Sequence, residues 1–290
     1  MMITMAEISQ KLTQRGLTAE TLAKWQKLTE HLASLGSVLV AYSGGVDSTF
    51  LANVANLVLG EKSCAVFVET AAEGSGQGAQ AKRWAEQGGF HFVKLAYDSL
   101  SNPEFVANPA NRCYFCKLAI LGLVHKYAEE HGYQYVLEGQ NEDDRADYRP
   151  GRQAVSETDT LSPLAEAGLT KAEIRSLSRI LGLPVWNQPS SPCLASRFPY
   201  GTPITQRGLT MVEQGEEYLH QLGFIEVRVR IHGDLACLEV EPDRISDLVL
   251  MRRQVAQYFK EIGFLYVTID LQGYRQGSLN EGLKHEAAVL

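Results

Sequence analysis

The segment Ser43-Gly44-Gly45-Val46-Asp47-Ser48 has the residue types of an anion cradle. Two glycines at the turn let the backbone approach a phosphate, because no Cβ intervenes. Ser43 and Ser48 supply hydroxyl donors, and a helix that follows offers unpaired N–H groups and a positive dipole end. Asp47 would repel phosphate unless a divalent ion lay between them, and Mg2+ is the obvious mediator. The lysine signature G-x-x-x-x-G-K-[ST] is missing from this segment, so it does not read as a kinase or GTPase loop. The bland alternative is an ordinary glycine turn, but strand, loop and helix in succession favour phosphate binding.

Sulfur is the second chemistry. Five cysteines in 290 residues are too few for a disulfide scaffold, and the close pair Cys113-x-x-Cys116 points to metal or redox work. Cys193 sits in the polar, proline-rich run Pro189-Ser190-Ser191-Pro192-Cys193, which disfavours a buried hydrophobic role. A thiolate there is a capable nucleophile, more so when a cation lowers its pKa, and Arg197 is the nearest cation in sequence. Cys64 and Cys237 fall within strand patterns and read as core. The acidic run Glu142 to Asp147 is either a solvated loop or, through Asp144, a contact for Mg2+ or ribose. Arg149 is a candidate for a phosphate. Arg228 and Arg230 are two apart on a strand and share a face with His232, a solvated face or an anion anchor. Glu239 and Asp270 are further metal or structural partners.

These residues need a scaffold. Apolar spacing at Leu22, Trp25, Leu28, Leu32 and Leu35 predicts a helix stopped by Gly36. Strands are expected at Val38–Tyr42, Cys64–Val68, His91–Leu95 and Tyr133–Leu137. Helices are expected at Ser48–Leu59, Gln77–Gln87 and Lys117–His131. That alternation predicts an α/β fold with a parallel sheet covered on both faces, its ligands beyond the carboxyl ends of the strands. Thr170 and Glu173 form a capping box for a helix to Leu181. From Thr205 the order changes to helix, strand Phe224–Ile231, strand to Val240, helix Ile245–Ile262 and strand Phe264–Ile269. Along Phe224–Ile231, residues Ile225, Val227, Val229 and Ile231 would share one face. A small α+β domain at 205–290 is therefore expected after a nucleotide-binding domain at 1–204. The net charge is −7, which gives no general attraction for phosphate backbones, so a small-molecule substrate is expected and nucleic acid is not. The N-terminal residues lack a signal-peptide pattern and the most apolar stretch, Phe50 to Leu59, is too short to span a bilayer. A cytoplasmic protein without membrane partners is expected.

The glycine loop resembles that of the N-type ATP pyrophosphatase (PP-loop) superfamily, which implies cleavage of ATP between the α and β phosphates. Four more stretches narrow the likeness. They are Asn111-Arg112-Cys113-Tyr114-Phe115-Cys116-Lys117, Glu138-Gly139-Gln140-Asn141-Glu142-Asp143-Asp144, Asp147-Tyr148-Arg149-Pro150-Gly151, and Pro192-Cys193-Leu194-Ala195-Ser196-Arg197-Phe198-Pro199-Tyr200-Gly201. With the loop they are similar to the LarE family, the ATP-dependent sulfur transferase of lactate racemase maturation. The likeness runs from about Leu28 to the C-terminus.

The resemblance implies synthesis of the nickel-pincer nucleotide. Each carboxylate of pyridinium-3,5-biscarboxylic acid mononucleotide would be adenylated and then attacked by enzyme-borne sulfur, with AMP leaving. It implies ATP contacts at Ser43 to Ser48, Thr70, Gly139 and Asp144, and substrate contacts at Arg149, Arg228 and Arg230. Two sulfur sources follow. Either Cys193 gives up its own sulfur and becomes dehydroalanine, or Cys113, Cys116 and Cys193 hold a [4Fe–4S] cluster that carries a transferable sulfide. All three cysteines are present, which favours the cluster; structural zinc, with His125 as a fourth ligand, is the rival. A homo-oligomer, and upstream and downstream cofactor-synthesis proteins, are further implied. The stretch Glu69 to Gly78 departs from the family pattern, which is richer in serine and proline, so base contacts are not assigned there. A tRNA thiolase of the same superfamily and a non-catalytic nucleotide or iron–sulfur sensor are the competing readings.

Overall fold

A computed structural model describes residues 5–146, 151–189, 193–275 and 277–281. Its contacts divide the chain into two compact units. The first comprises Met1–Thr70, Gly76–Tyr97 and Cys113–Ser191; the second comprises Ala71–Ser75, Asp98–Arg112 and Pro192–Leu290. The expected division at residue 204 is therefore drawn elsewhere, and backbone hydrogen bonds explain why. Leu194 N donates to Ala72 O, Gly201 N to Asn108 O and Ile204 N to Val106 O, which stitches two earlier segments to the stretch after Cys193.

The first unit is built on strands β1 (Val38–Ala41), β2 (Ser63–Glu69), β3 (Phe92–Ala96) and β4 (Tyr135–Leu137). All pair in parallel in the order β3-β2-β1-β4. The central strands are almost wholly apolar because both faces are covered. Val38, Val40, Ala65 and Phe67 pack beneath the helices Ala19–Ser34, Val46–Leu59 and Lys171–Leu181. Leu39, Cys64, Val66 and Val68 lie on the opposite face under Val124 and Ala128 of the helix Arg112–His131. Cys64 is thus core, as its strand position predicts. The capping box of Thr170 and Glu173 is formed. Chain order runs outward from β1 to β3 and then returns to β4 on the other side of β1. That reversal opens a crevice at the carboxyl ends of β1 and β4, where ligands of open parallel sheets bind.

The second unit carries a three-stranded sheet, β5 (Arg228–His232), β6 (Leu235–Glu239) and β7 (Tyr266–Ile269), in that order. β5 and β6 are antiparallel, β6 and β7 parallel. Val229, Ile231, Ala236 and Leu238 are buried, packed with the helices Gln206–Gln221 and Arg252–Glu261 in the same unit. Three expectations are corrected here. The strand begins only at Arg228, because the amides of Ile225 and Glu226 donate to the Glu241 carboxylate (2.8 and 3.1 Å) rather than to a ladder. Ile225 is consequently 77% exposed and shares no buried face with Val229. The single helix expected from Ile245 to Ile262 is two, Ile245–Leu250 and Arg252–Glu261, since Met251 at φ −86° and ψ 6° interrupts the helical path. Cys237 alternates with Ala236 and Leu238, so it lies on the half-buried face of β6, opposite Arg230, and not in the core. Among the described residues no helix is long and apolar enough to cross a membrane.

Candidate active site

The glycine loop leaves β1 and enters the helix Val46–Leu59 at once. Gly44 has φ +77°, and a Cβ there would come within 3.1 Å of the Ala81 Cβ, so both conformation and space demand glycine. Gly45 caps the helix without a side-chain acceptor, leaving the first-turn N–H groups directed outward. Ser48 Oγ ties the turn together: it accepts from Ser43 N at 3.2 Å, lies 3.1 Å from Ser43 Oγ and donates to Gly45 O at 3.2 Å. Across the crevice, a Cβ on Gly139 would sit 3.0 Å from Ser48 N. The loops after β1 and β4 therefore touch backbone to backbone.

Asp47 stands in the first turn of that helix with a divided environment. Its Oδ2 meets Lys171 Nζ at 2.5 Å, while its Oδ1 is buried without a hydrogen-bond partner. Burial raises the carboxyl pKa above its usual range; Lys171 opposes the shift and the nearby charge of Asp144 adds to it. A stranded carboxylate oxygen beside a second carboxylate is a donor set suited to a divalent ion. Asp144 is buried and accepts the Asn141 amide at 3.0 Å. Asp143 accepts the Lys171 backbone amide at 2.8 Å and so anchors the helix that carries Lys171. Thr70 is buried just beyond the carboxyl end of β2. Ser43 to Ser48, Thr70, Gly139 and Asp144 thus all gather at this end of the sheet. Sequence reasoning missed Lys171; its one signal was its place directly after the Thr170 cap.

Cys113 and Cys116 occupy the first turn of the helix Arg112–His131, Cys113 exposed and Cys116 half-buried. Their i, i+3 spacing puts both on one helix face. The next residue, Lys117, donates to the buried Glu138 at 2.8 Å, and Glu138 also accepts Ser162 Oγ at 2.5 Å and Gln140 N at 3.0 Å. This network fastens the Cys-x-x-Cys turn to the residue preceding Gly139. His125 is corrected as a partner of the pair. Nine residues of unbroken helix put it roughly 13 Å from Cys116, and its Nε2 lies 2.9 Å from Thr160 Oγ1. Among the described residues no three His, Cys, Asp or Glu side chains converge as a metal site.

Cys193 is exposed in the second unit, at the start of the short 3-10 helix Leu194–Arg197. Arg197, expected beside its thiol, is 3% exposed and forms a two-pronged pair with Glu216 at 2.8 and 2.7 Å. It also donates to the Cys193 carbonyl at 3.2 Å and to Ser196 Oγ at 2.9 Å. Arg230 is similarly engaged: Glu239 takes Nε and Nη2 at 2.8 and 3.1 Å, and Ser196 O takes Nη1 at 2.7 Å. Glu239 is therefore the partner of Arg230, and Asp270 pairs with Arg275 at 3.6 Å. Arg228 differs. Its guanidinium lies 4.9 Å from the Tyr274 ring centre, and among the described residues no carboxylate lies within ion-pair distance. Burial and the neighbouring charge of Arg197 lower its pKa, a sign of crowded cations. Of these three arginines, Arg197 and Arg230 are held by two-pronged pairs with Glu216 and Glu239, whereas Arg228 donates to Val227 O at 2.6 Å and lies against Tyr274. Arg149 lies outside the described residues, as do Asp147 to Pro150 and Ser190 to Pro192.

No family model matches the chain. It is 42% identical over 263 residues to an uncharacterized protein of Synechocystis sp., covering 90% of this chain and 98% of that one. It is 37% identical over 265 residues to the pyridinium-3,5-bisthiocarboxylic acid mononucleotide synthase of Lactiplantibacillus plantarum, covering 91% of this chain and 96% of the synthase. A component of the glutamine-hydrolysing GMP synthase of Archaeoglobus fulgidus is 26% identical over 159 residues, 51% of this chain and 52% of that protein.

Proposed function

The chain belongs to the pyridinium-3,5-bisthiocarboxylic acid mononucleotide synthase (LarE) family of the PP-loop superfamily, and from that premise we propose that it transfers sulfur to the carboxylates of the corresponding biscarboxylic acid mononucleotide at the expense of ATP. The observation that carries the reading is the likeness over 96% of the synthase's length, joined to a glycine loop shaped for phosphate.

A carboxylate is a poor electrophile because its leaving group would be oxide. In this reading a substrate carboxylate oxygen attacks the α-phosphorus of ATP, and the bond to the bridging oxygen breaks, its electron pair leaving with pyrophosphate. The first-turn N–H groups after Gly45 and the hydroxyls of Ser43 and Ser48 hold the phosphates. Asp47 and Asp144 would hold Mg2+, which supplies charge neutralisation on the phosphates when bound. Lys171, already at Asp47, brings a positive charge to the departing pyrophosphate. A sulfide then attacks the acyl carbon, AMP leaves, and the thiocarboxylate remains. With the Cys193 thiolate as nucleophile the product would be a thioester, which releases the thiocarboxylate as the Cα proton of Cys193 is lost and its Cβ–S bond breaks, leaving dehydroalanine. Arg228 anchors the substrate phosphate. A [4Fe–4S] cluster held by Cys113, Cys116 and Cys193 would supply a transferable sulfide; Cys193 as the sulfur donor itself is the alternative.

Incubation with Mg·ATP and pyridinium-3,5-biscarboxylic acid mononucleotide tests this. AMP, pyrophosphate and the mass of an oxygen-to-sulfur exchange are expected together. Cys193→Ser should retain pyrophosphate release and lose thiocarboxylate. An enzyme that releases pyrophosphate only with tRNA would overturn the substrate assignment in favour of a thiolase.

A further inference from the structure

Asn108 is fully buried and adopts φ 54°, a left-handed conformation that asparagine tolerates better than most residues. It lies between the helices Pro103–Val106 and Arg112–His131. Its side-chain amide donates to Pro199 O at 2.7 Å, Thr202 O at 2.9 Å and Phe198 O at 3.4 Å. Two amide hydrogens serve three acceptors, so the longest of these is the shared one. Its Oδ1 accepts Arg112 Nη1 at 2.6 Å, and its backbone oxygen accepts Gly201 N at 2.8 Å. Arg112 is 4% exposed and lies 5.0 Å from the Tyr200 ring centre. One buried side chain therefore fastens the whole turn 198–202.

That turn closes the loop begun by Cys193. Cys193 has no long element of its own and precedes a four-residue 3-10 helix. Its direction depends on the anchors that follow it: Leu194 N on Ala72 O, Ser196 O on Arg230, and the amide of Asn108 further along. Asn108 is uncharged and wholly covered, so it brings nothing to a substrate directly. Its partner Arg112 immediately precedes Cys113 in the chain.

We propose that Asn108 is a positioning residue for sulfur transfer, its buried amide clamp holding the Cys193 loop in the orientation the reaction needs; this rests on the function proposed above. The side chain sets where the thiol points and takes no part in bond making.

The test uses two full-length variants. Asn108→Asp keeps the size and the acceptor for Arg112 but turns three hydrogen bonds into oxygen–oxygen repulsion. Asn108→Gly keeps the left-handed backbone without strain and deletes the amide. The rate profile of Cys193 alkylation by iodoacetamide in metal-free protein at one pH, read by peptide mass spectrometry, is measured beside pyrophosphate release and thiocarboxylate formation. An altered alkylation profile is expected in both variants, with thiocarboxylate formation lowered roughly 100-fold, as about 1 Å of misplacement can cause, and pyrophosphate release unchanged. Native alkylation profiles and native thiocarboxylate formation in the folded variants would overturn the proposal. So would a parallel loss of pyrophosphate release, which marks a general structural role. Should Asn108→Asp not fold, Asn108→Gly decides alone. If the native chain itself forms no thiocarboxylate, the functional reading fails, while the alkylation profile still judges the clamp.

Discussion

Most of the site's charged side chains are held by partners that fix their direction; apart from them, the half-buried His125 shows what burial does to a titration. Burial lowers its imidazole pKa below 6.5, with Asp159 and Glu129 opposing. As pH falls through about 6.5 the unfolded chain takes up the proton before the folded one does. The stability contributed by neutral His125 is therefore present above that range and declines below it, until the folded protein protonates too. His125→Gln, which can still reach Thr160, should flatten the fall in stability between about pH 7 and pH 5. Urea unfolding across that range measures it, and an unaltered slope would remove His125 from the account. At this scale the residue types were legible from the sequence but their partners were not. Arg197 was expected near Cys193, and it reaches the Cys193 carbonyl while pairing with Glu216; that glutamate comes from a helix 19 residues further along the chain, which no local pattern announces.

Between elements, the decisive fit is the backbone approach of the β4 loop to the start of the helix Val46–Leu59. Gly139→Ala would press a methyl to within 3.0 Å of Ser48 N and 3.2 Å of Ser48 Cα. Backbone atoms cannot swing aside as a flexible side chain can. The expected cost is about 1–3 kcal/mol of stability, with weaker Mg·ATP binding by calorimetry because the phosphate-facing turn is displaced. Gly122→Ala is the control. It lies within the helix Arg112–His131 with nothing near its missing Cβ, so a gain of roughly 0.5–1 kcal/mol is expected. Equal effects at both glycines would show that the β4 loop does not press on the glycine loop. Most elements could be read from apolar period alone. The helices Met5–Gln14 and Gly151–Glu157 were not expected, and two misses were local: Glu241 drew the Ile225 and Glu226 amides out of a strand, and Met251 split a helix.

For the whole molecule, the open question of sulfur supply has a direct measurement in protein purified without oxygen. The cluster reading expects about four iron and four acid-labile sulfide per chain, lost in both Cys113→Ala and Cys193→Ala. Iron-free protein, with dehydroalanine appearing at Cys193 after turnover, would assign the sulfur to Cys193 itself. By itself the sequence determined the parallel α/β sheet, the glycine loop at its carboxyl edge, the small second sheet and the cysteines that could carry sulfur. Those follow from local rules: glycine where backbone must approach an anion, unbroken apolar runs where both sheet faces are covered, helical period where one face is. Tertiary structure alone decided which charges meet. Lys171 stands on Asp47 across 124 residues, and Asn108 holds carbonyls 90 to 94 residues away. It also decided that residues 71–75 and 98–112 pack with the Cys193 unit rather than with the sheet they interrupt. Pairings at such separations obey no sequence period; they arise because a buried amide or charge must find its partner wherever folding brings one.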